Sequence, residues 1–190
     1  MKSDGLPPTP SEVWRRLLRG VADRRSPFRT PGFATVRTDG APAVRTVVLR
    51  GADAAGRTLH FHTDARSPKA RDLESCPRAA WLFYDRKARL QIRVSGRTFL
   101  QRQGPEVDAA WERTTASGRR TYATAIAPGQ VIGEPHPLDL PVDDPRVRDV
   151  FCLGTTKVDH IDWLWLHHAG HQRARLQWTG TEWTSTWCVA

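Results

Sequence analysis

The sequence predicts a mainly β protein with inserted helices, folded as a closed or nearly closed antiparallel barrel. Three observations lead there. Many short strand-like runs are joined by short polar turns. The helical stretches are few and do not alternate with the strands as a parallel α/β sheet requires. No GxGxxG or Walker-type glycine loop is present, which argues against the nucleotide folds built on one.

The elements follow in order. "TPSEVWRRLLRGVADRR" opens with a capping box, Thr9 before Pro10 and Glu12, and places Val13, Trp14, Leu17, Leu18 and Val21 on one helical face. "GFATVRT", the turn "DGAP" and "AVRTVVLR" read as a hairpin, and "GADAAG" as a second turn. "TLHFHTD" alternates as a third strand. "SPKARDLES" is a short helix with Ser67 at its N-cap and Pro68 at its first position. "RAAWLFYD" and "RLQIRVSGRTFLQ" are strands joined by "RKA". "PEVDAAWERTTASGRRTYATA" reads as one or two helices, and residues 126–145 as a Pro-rich loop. After "RVRDVFCLGTT" come "HIDWLWLHH", "RARLQWT" and "EWTSTWCVA" as C-terminal strands within 146–190. The whole of 1–190 is expected to be one domain, with 1–30 as its N-terminal helical region.

The bulk numbers narrow the class. A chain of 190 residues that is 39% hydrophobic and 26% charged is ordinary for a globular protein. No apolar run approaches the roughly 20 residues that span a bilayer, and the start has no apolar leader, so a cytoplasmic location without membrane partners is expected. Cys76, Cys152 and Cys188 are scattered and form no CxxC pair, so they read as free thiols. Adjacent His167 and His168 point to opposite faces if they lie on a strand, so "HHAGH" is not expected to hold a metal. The net charge is +9. Its cations are spread along the chain and mixed with acids, with no block of like charges. A solvated Arg-rich surface is the expected meaning of that spread, and nucleic acid is not the expected partner.

The residue pattern that carries chemistry spans three strands. On a strand, Arg45, Val47 and Leu49 share one face. Thr63, Ser67 and Lys69 follow the next strand, where a helix start offers unpaired backbone N–H groups. With Gln91 on the same interior face, the wall would hold a guanidinium, an apolar floor and an amide. Such a wall suits a flat, partly apolar molecule ending in a phosphate.

The segments "RTVVLR", "HTD", "SPK", "SCPRAAWLFYD" and "RLQIRV", running without a gap through 45–96, resemble the pyridoxamine 5′-phosphate oxidase family, the FMN-binding split β-barrels. The resemblance continues more loosely to the C-terminus, where Trp165 and Arg175 match a Trp and an Arg ten positions apart. It implies that Arg45 and Lys69 grip the FMN phosphate with Ser67 at the same helix start. Val47 and Leu49 would line the ring, with Arg50 beside flavin and substrate. His62 and Thr63 would contact the cofactor, and Gln91 would bond the isoalloxazine. Trp165 and Arg175 would reach FMN from the second subunit of a homodimer. Replacing Arg45 or Lys69 would then weaken FMN binding with the fold intact.

The pattern also departs from the family, and the chain looks like a divergent branch. Pro68 stands for a basic residue, Asp64 for an Asn, His62 for an aromatic residue and Arg50 for a Lys. Of a Tyr, Arg and Ser that hold substrate phosphate, Arg113 and Ser117 match, while "DAAW" has no tyrosine. The family's Arg-x-His is reversed here as His171-Gln-Arg173. The implied function is an FMN-dependent oxidoreductase passing hydride from a small, phosphorylated or other substrate to FMN, with Arg50, Arg173 and His171 as catalytic candidates. Arg50, Arg113, Ser117, His171 and Arg173 are the candidate substrate contacts. A reductase of another small molecule and a flavin-binding module without turnover stay open beside it.

Overall fold

The computed structural model describes residues 6–135 and 139–190. The reading of the first five residues, and the part of the Pro-rich loop at 136–138, lie outside the described residues. Helix α1 (Pro10–Ala22) starts at the expected box: Thr9 N–H donates to Glu12 Oε2 at 2.7 Å, and Glu12 N–H donates to Thr9 Oγ1 at 3.4 Å. Val13, Trp14 and Leu17 are buried and Val21 is half-buried, but Leu18, expected on the same face, is exposed.

Nine antiparallel strands follow among the described residues: β1 (Gly32–Val36), β2 (Pro42–Thr46), β3 (Gly51–Asp53), β4 (Thr58–Asp64), β5 (Arg78–Asp85), β6 (Leu90–Gln101), β7 (Phe151–Trp165), β8 (Gln172–Trp178) and β9 (Trp183–Cys188). The sheet order is β2-β1-β5-β6-β7-β4-β3, and β8 and β9 extend from β7. Its two edges, β2 and β3, are consecutive in the chain. Residues 47–50 carry the chain from one edge to the other. Val47 N–H donates to Pro31 O at 3.1 Å, Leu49 N–H to Arg29 O at 2.9 Å, and Arg50 N–H to His60 O at 2.8 Å. Among the described residues no pairing joins β2 to β3, and the sheet is not closed. Two expectations change accordingly. The strand expected over 43–50 ends at Thr46, and the expected turn "GADAAG" gives its first three residues to β3.

The last strands also differ from the reading. "RVRDVFCLGTT" and "HIDWLWLHH" belong largely to one 15-residue strand, β7, which pairs with β4, β6 and β8. Its register with β6 shifts between Ser95 and Gly96, and a side chain at 96 would run into the Lys157 carbonyl, so only glycine fits there. Between β4 and β5 lies α2 (Pro68–Ser75). Between β6 and β7 lie α3 (Pro105–Glu112), α4 (Ala116–Arg119), one 3-10 turn (Arg120–Tyr122) and α5 (Pro145–Asp149).

Two apolar cores result. Phe33, Phe61, Trp81 and Phe83 fill the barrel, each 0–1% exposed. Burying each such side chain contributes about 1.5–3 kcal/mol. Val107, Ala110, Tyr122, Val147, Phe151 and Leu153 form a second core, under α3 and against the outer side of β4 and β7. Strand β4 therefore has a barrel face (Leu59, Phe61, Thr63) and a helix face (His60, His62), and this division positions the site. No described helix is long and apolar enough to cross a membrane.

Candidate functional site

The barrel face of β4 ends in a corner rich in cations. Burial alternates along Arg45, Val47 and Leu49, as strand geometry requires. Arg45 Nη1 donates to Thr35 Oγ1 at 2.6 Å, and its Nη2 lies 3.4 Å from Asp72 Oδ2 on α2. Thr35 Oγ1 donates to the same carboxylate oxygen at 2.7 Å. Lys69 Nζ donates to Thr63 Oγ1 at 3.0 Å, and Thr63 shares a 3.2 Å hydrogen bond with Ser67 Oγ. Ser67 sits at the N-cap as predicted, but its hydroxyl turns to Thr63, and no side chain caps α2. Burial, and then the charge of Arg45, pull the Lys69 pKa down. Two cations that repel each other, two buried hydroxyls and an uncapped helix start fit a phosphate monoester.

Arg45 has a second role that the sequence did not show. Asp72 is 6% exposed, and Arg45 is the cation that offsets it. Truncating Arg45 would leave a buried carboxylate without this counter-charge, so a cost to the fold is expected beside the loss of a phosphate contact. Leu49 is 0% exposed and Val47 8%, both within the barrel core, so neither side chain faces an open surface of the chain.

The helix face of β4 forms one wall of a cleft of about 650 Å3. Arg50, Arg113, His60 and His62 line it, together with Ala109 and Ala110 of α3 and Leu153 of β7. Burial, followed by the charges of Arg50 and Arg113, drives the His62 pKa down to about 4, so its imidazole is neutral at pH 7. Thr114 lies 3.5 Å from His62 Nδ1 and donates its hydroxyl to Ala110 O at 2.8 Å. Tyr122 is buried behind this wall. Burial pushes its phenol up to about 12, and Arg50 partly opposes the shift. Ser117 is exposed on α4 and is not among the residues that line the cleft.

The remaining predicted residues lie on the outer sheet face or at its end. Leu90, Ile92 and Val94 take the inner side of β6, which turns Gln91 outward and corrects its expected interior position. Trp165 pairs with Gln172 and Asp162 with Arg175, so Trp165 and Arg175 occupy opposite faces of the β7–β8 hairpin. Trp165 Nε1 donates to Ala88 O at 3.1 Å. Arg173 is committed to buried Asp162 through Nε at 3.1 Å and Nη2 at 2.7 Å, and Arg93 reaches the same carboxylate at 2.8 Å. His171 is exposed just before β8. His167 and His168 follow the end of β7 rather than lying on it, and their rings stack at 4.2 Å instead of pointing apart.

Sequence reasoning missed Thr35, Asp72, His60 and Thr114. Thr35 was available by alternation, two positions from Phe33 on the inner face. Asp72 gave a weaker signal, an acid beside Leu73 on the apolar side of a short helix. Nothing local pointed to Thr114, which reaches His62 only because α3 packs across β4.

Residues 11–102 match the family model for the FMN-binding domain of pyridoxamine 5′-phosphate oxidase. A pyridoxine/pyridoxamine 5′-phosphate oxidase of Cupriavidus taiwanensis is 34% identical over 126 residues, covering 66% of this chain and 58% of the relative. The chain thus spans little more than half the length of that relative. Pyridoxine/pyridoxamine 5′-phosphate oxidase 2 of Arabidopsis thaliana is 26% identical over 163 residues, 80% and 82% of the two chains. The crystal structure of a pyridoxamine 5′-phosphate oxidase-related, FMN-binding protein of Nostoc punctiforme superposes with a TM-score of 0.75 at 25% identity, over 98% and 99% of the two chains. The corner of Arg45, Thr63, Ser67 and Lys69 has the donors to hold the phosphate of FMN, the cofactor of this domain. Over residues 11–102 this chain matches the FMN-binding domain of the pyridoxamine 5′-phosphate oxidases, and over nearly its whole length it is similar to an FMN-binding protein related to them.

Proposed function

We propose that the protein is an FMN-dependent oxidoreductase of the cytoplasm, acting on a small anionic substrate as a homodimer with FMN at the subunit interface. One observation carries this reading: a corner fit for phosphate and a cation-lined cleft occupy the two faces of a single strand, β4. When bound, FMN supplies the two-electron chemistry, accepting hydride from a substrate carbon and passing the electrons to dioxygen, which leaves as hydrogen peroxide. Arg50 and Arg113 would hold the substrate's anionic group in the cleft. His62, kept neutral, can accept or donate a hydrogen bond there without adding charge. A second copy on the outer sheet face would cover Val44 (75% exposed), Leu82 (44%) and Tyr84 (45%), and would bring Gln91 and Arg175 to the partner's flavin.

Turnover of pyridoxamine 5′-phosphate is expected to be weak. The cleft lacks a tyrosine on α3, Ser117 does not line it, and Arg173 is tied to Asp162. A site built for hydrogen-bonded recognition loses discrimination steeply when its partners are displaced. The test is extraction of flavin from the purified protein, sedimentation, and steady-state assay of pyridoxal phosphate and peroxide formation. The expected result is FMN rather than FAD, a dimer, and slow turnover. A protein that stays colourless after reconstitution with FMN would overturn the flavoenzyme reading. Rapid turnover would overturn the substrate argument.

A further inference from the structure

The fold gathers cations that lie far apart in the sequence. Helix α1 carries Arg15 and Arg19 one turn apart, and the β5–β6 turn carries Arg86, Lys87 and Arg89. Between α1 and that turn runs an open groove of about 1070 Å3, with Ser26, Pro27 and Phe28 also lining it. Arg16 and Lys87 line both this groove and an adjoining hollow of about 440 Å3. The two acids lining the groove are already engaged. Asp23 lies 3.6 Å from Arg19 and accepts Arg25 N–H at 2.9 Å, and Asp85 accepts Lys87 N–H and Ala88 N–H, both at 2.9 Å. The side chains of Arg86, Lys87 and Arg89 make no ion pair among the described residues. Arg89 also holds a left-handed backbone (φ 52°), a conformation that glycine or asparagine adopts at less cost.

The adjoining hollow adds flat rings to this charge. Trp165, His167 and His168 stack in sequence, with centroids 4.5 and 4.2 Å apart and both pairs tilted by 33°. Burial, then His168 and Arg89, lower the His167 pKa, so its ring is neutral at pH 7. An acidic protein would pair with the cations but has no use for a ring ladder. A membrane surface asks for a flat basic face rather than a groove. A cationic groove that tracks a phosphate backbone, ending in stacked rings, matches the recognition of unpaired bases.

We propose that the groove between α1 and the β5–β6 turn binds single-stranded nucleic acid, with phosphates along the groove and bases on the Trp165–His167–His168 ladder. This is a second activity, and it draws on Trp165, which the family resemblance assigns to FMN, so FMN loading is held constant in its test. It is tested on the FMN-loaded protein by fluorescence anisotropy with labelled 12-mers of deoxythymidine and of uridine. Either strand is expected to bind. With about five phosphates neutralised, affinity should fall on the order of a hundred-fold between 50 and 200 mM salt. The double variant Arg15→Glu, Arg86→Glu should lose binding while its FMN content and melting temperature stay unchanged. His168→Ala should weaken the base-bearing strand and leave an abasic strand of equal charge unaffected. The proposal is overturned if neither strand binds at 50 mM salt or if the double variant binds normally. It also fails if abasic strand or inorganic polyphosphate binds as tightly as the oligonucleotides, which would mean charge alone is recognised.

Discussion

The two faces of β4 handle positive charge in opposite ways. On the barrel face, Arg45 is met by a buried acid, Asp72, and a buried hydroxyl, Thr35, so its guanidinium is fixed before any ligand arrives. On the helix face, Arg50 and Arg113 stand opposite two imidazoles, and the acid lining the cleft, Glu106, is exposed at its edge. There burial, and then the charges of Arg50 and Arg113, lower the pKa of His62 and keep its imidazole neutral. A compensated cation serves the fold and the ligand together. An uncompensated pair is a better place for an anion that comes and goes, because no internal partner must be displaced.

Removing the compensation should give the largest effect. Arg45→Ala is expected to destabilise the apoprotein by about 2–4 kcal/mol, since it strands the Asp72 carboxylate, and to weaken FMN binding at the same time. Adding Asp72→Asn should restore most of the stability and none of the affinity. Urea unfolding and flavin-fluorescence quenching of the single and double variants measure the two separately. Full recovery of affinity in the double variant would mean that Arg45 acts only on the fold.

The helix face should reveal itself through pH. The folded-state pKa of His62, about 4, lies below its ordinary value of 6.5. The unfolded chain therefore takes up this proton first as pH falls, and stability is lost between about pH 6.5 and 4. Such a shift corresponds to at most about 3 kcal/mol. In His62→Gln the loss between pH 7 and 4.5 should be smaller than in the parent protein. Equal losses in both would show that the folded state does not depress the pKa of this imidazole.

Lys69 should give the smallest and most specific effect. Its pKa is depressed by burial and by Arg45, so its charge works against the folded state at neutral pH. That cost eases as pH rises through its folded pKa towards 10.5, where the unfolded chain binds more protons. Lys69→Met is accordingly expected to stabilise the apoprotein slightly. A charge-assisted bond to phosphate is worth about 1.5–3 kcal/mol, so FMN affinity should fall roughly ten-fold or more. A variant that loses stability and keeps its affinity would remove Lys69 from the phosphate corner.

The sequence alone determined what neighbouring residues can settle. The capping box at Thr9, the helix start at Ser67-Pro68, the alternation of Arg45, Val47 and Leu49, and the strand character of "TLHFHTD" follow from backbone geometry and side-chain period within a few positions. The cluster of Thr63, Ser67 and Lys69 was legible for the same reason, because all three fall within seven residues. Register and packing decided the rest. Gln91 faces outward because Leu90 and Ile92 take the inner side of β6, and Trp165 parts from Arg175 because the hairpin pairs Trp165 with Gln172. Asp72 meets Arg45 across 27 positions. The β5–β6 turn comes to lie beside α1, which turns scattered arginines into one groove. Such contacts depend on which strand edge and which helix face the whole chain finds to bury, and no local window of the sequence contains that choice.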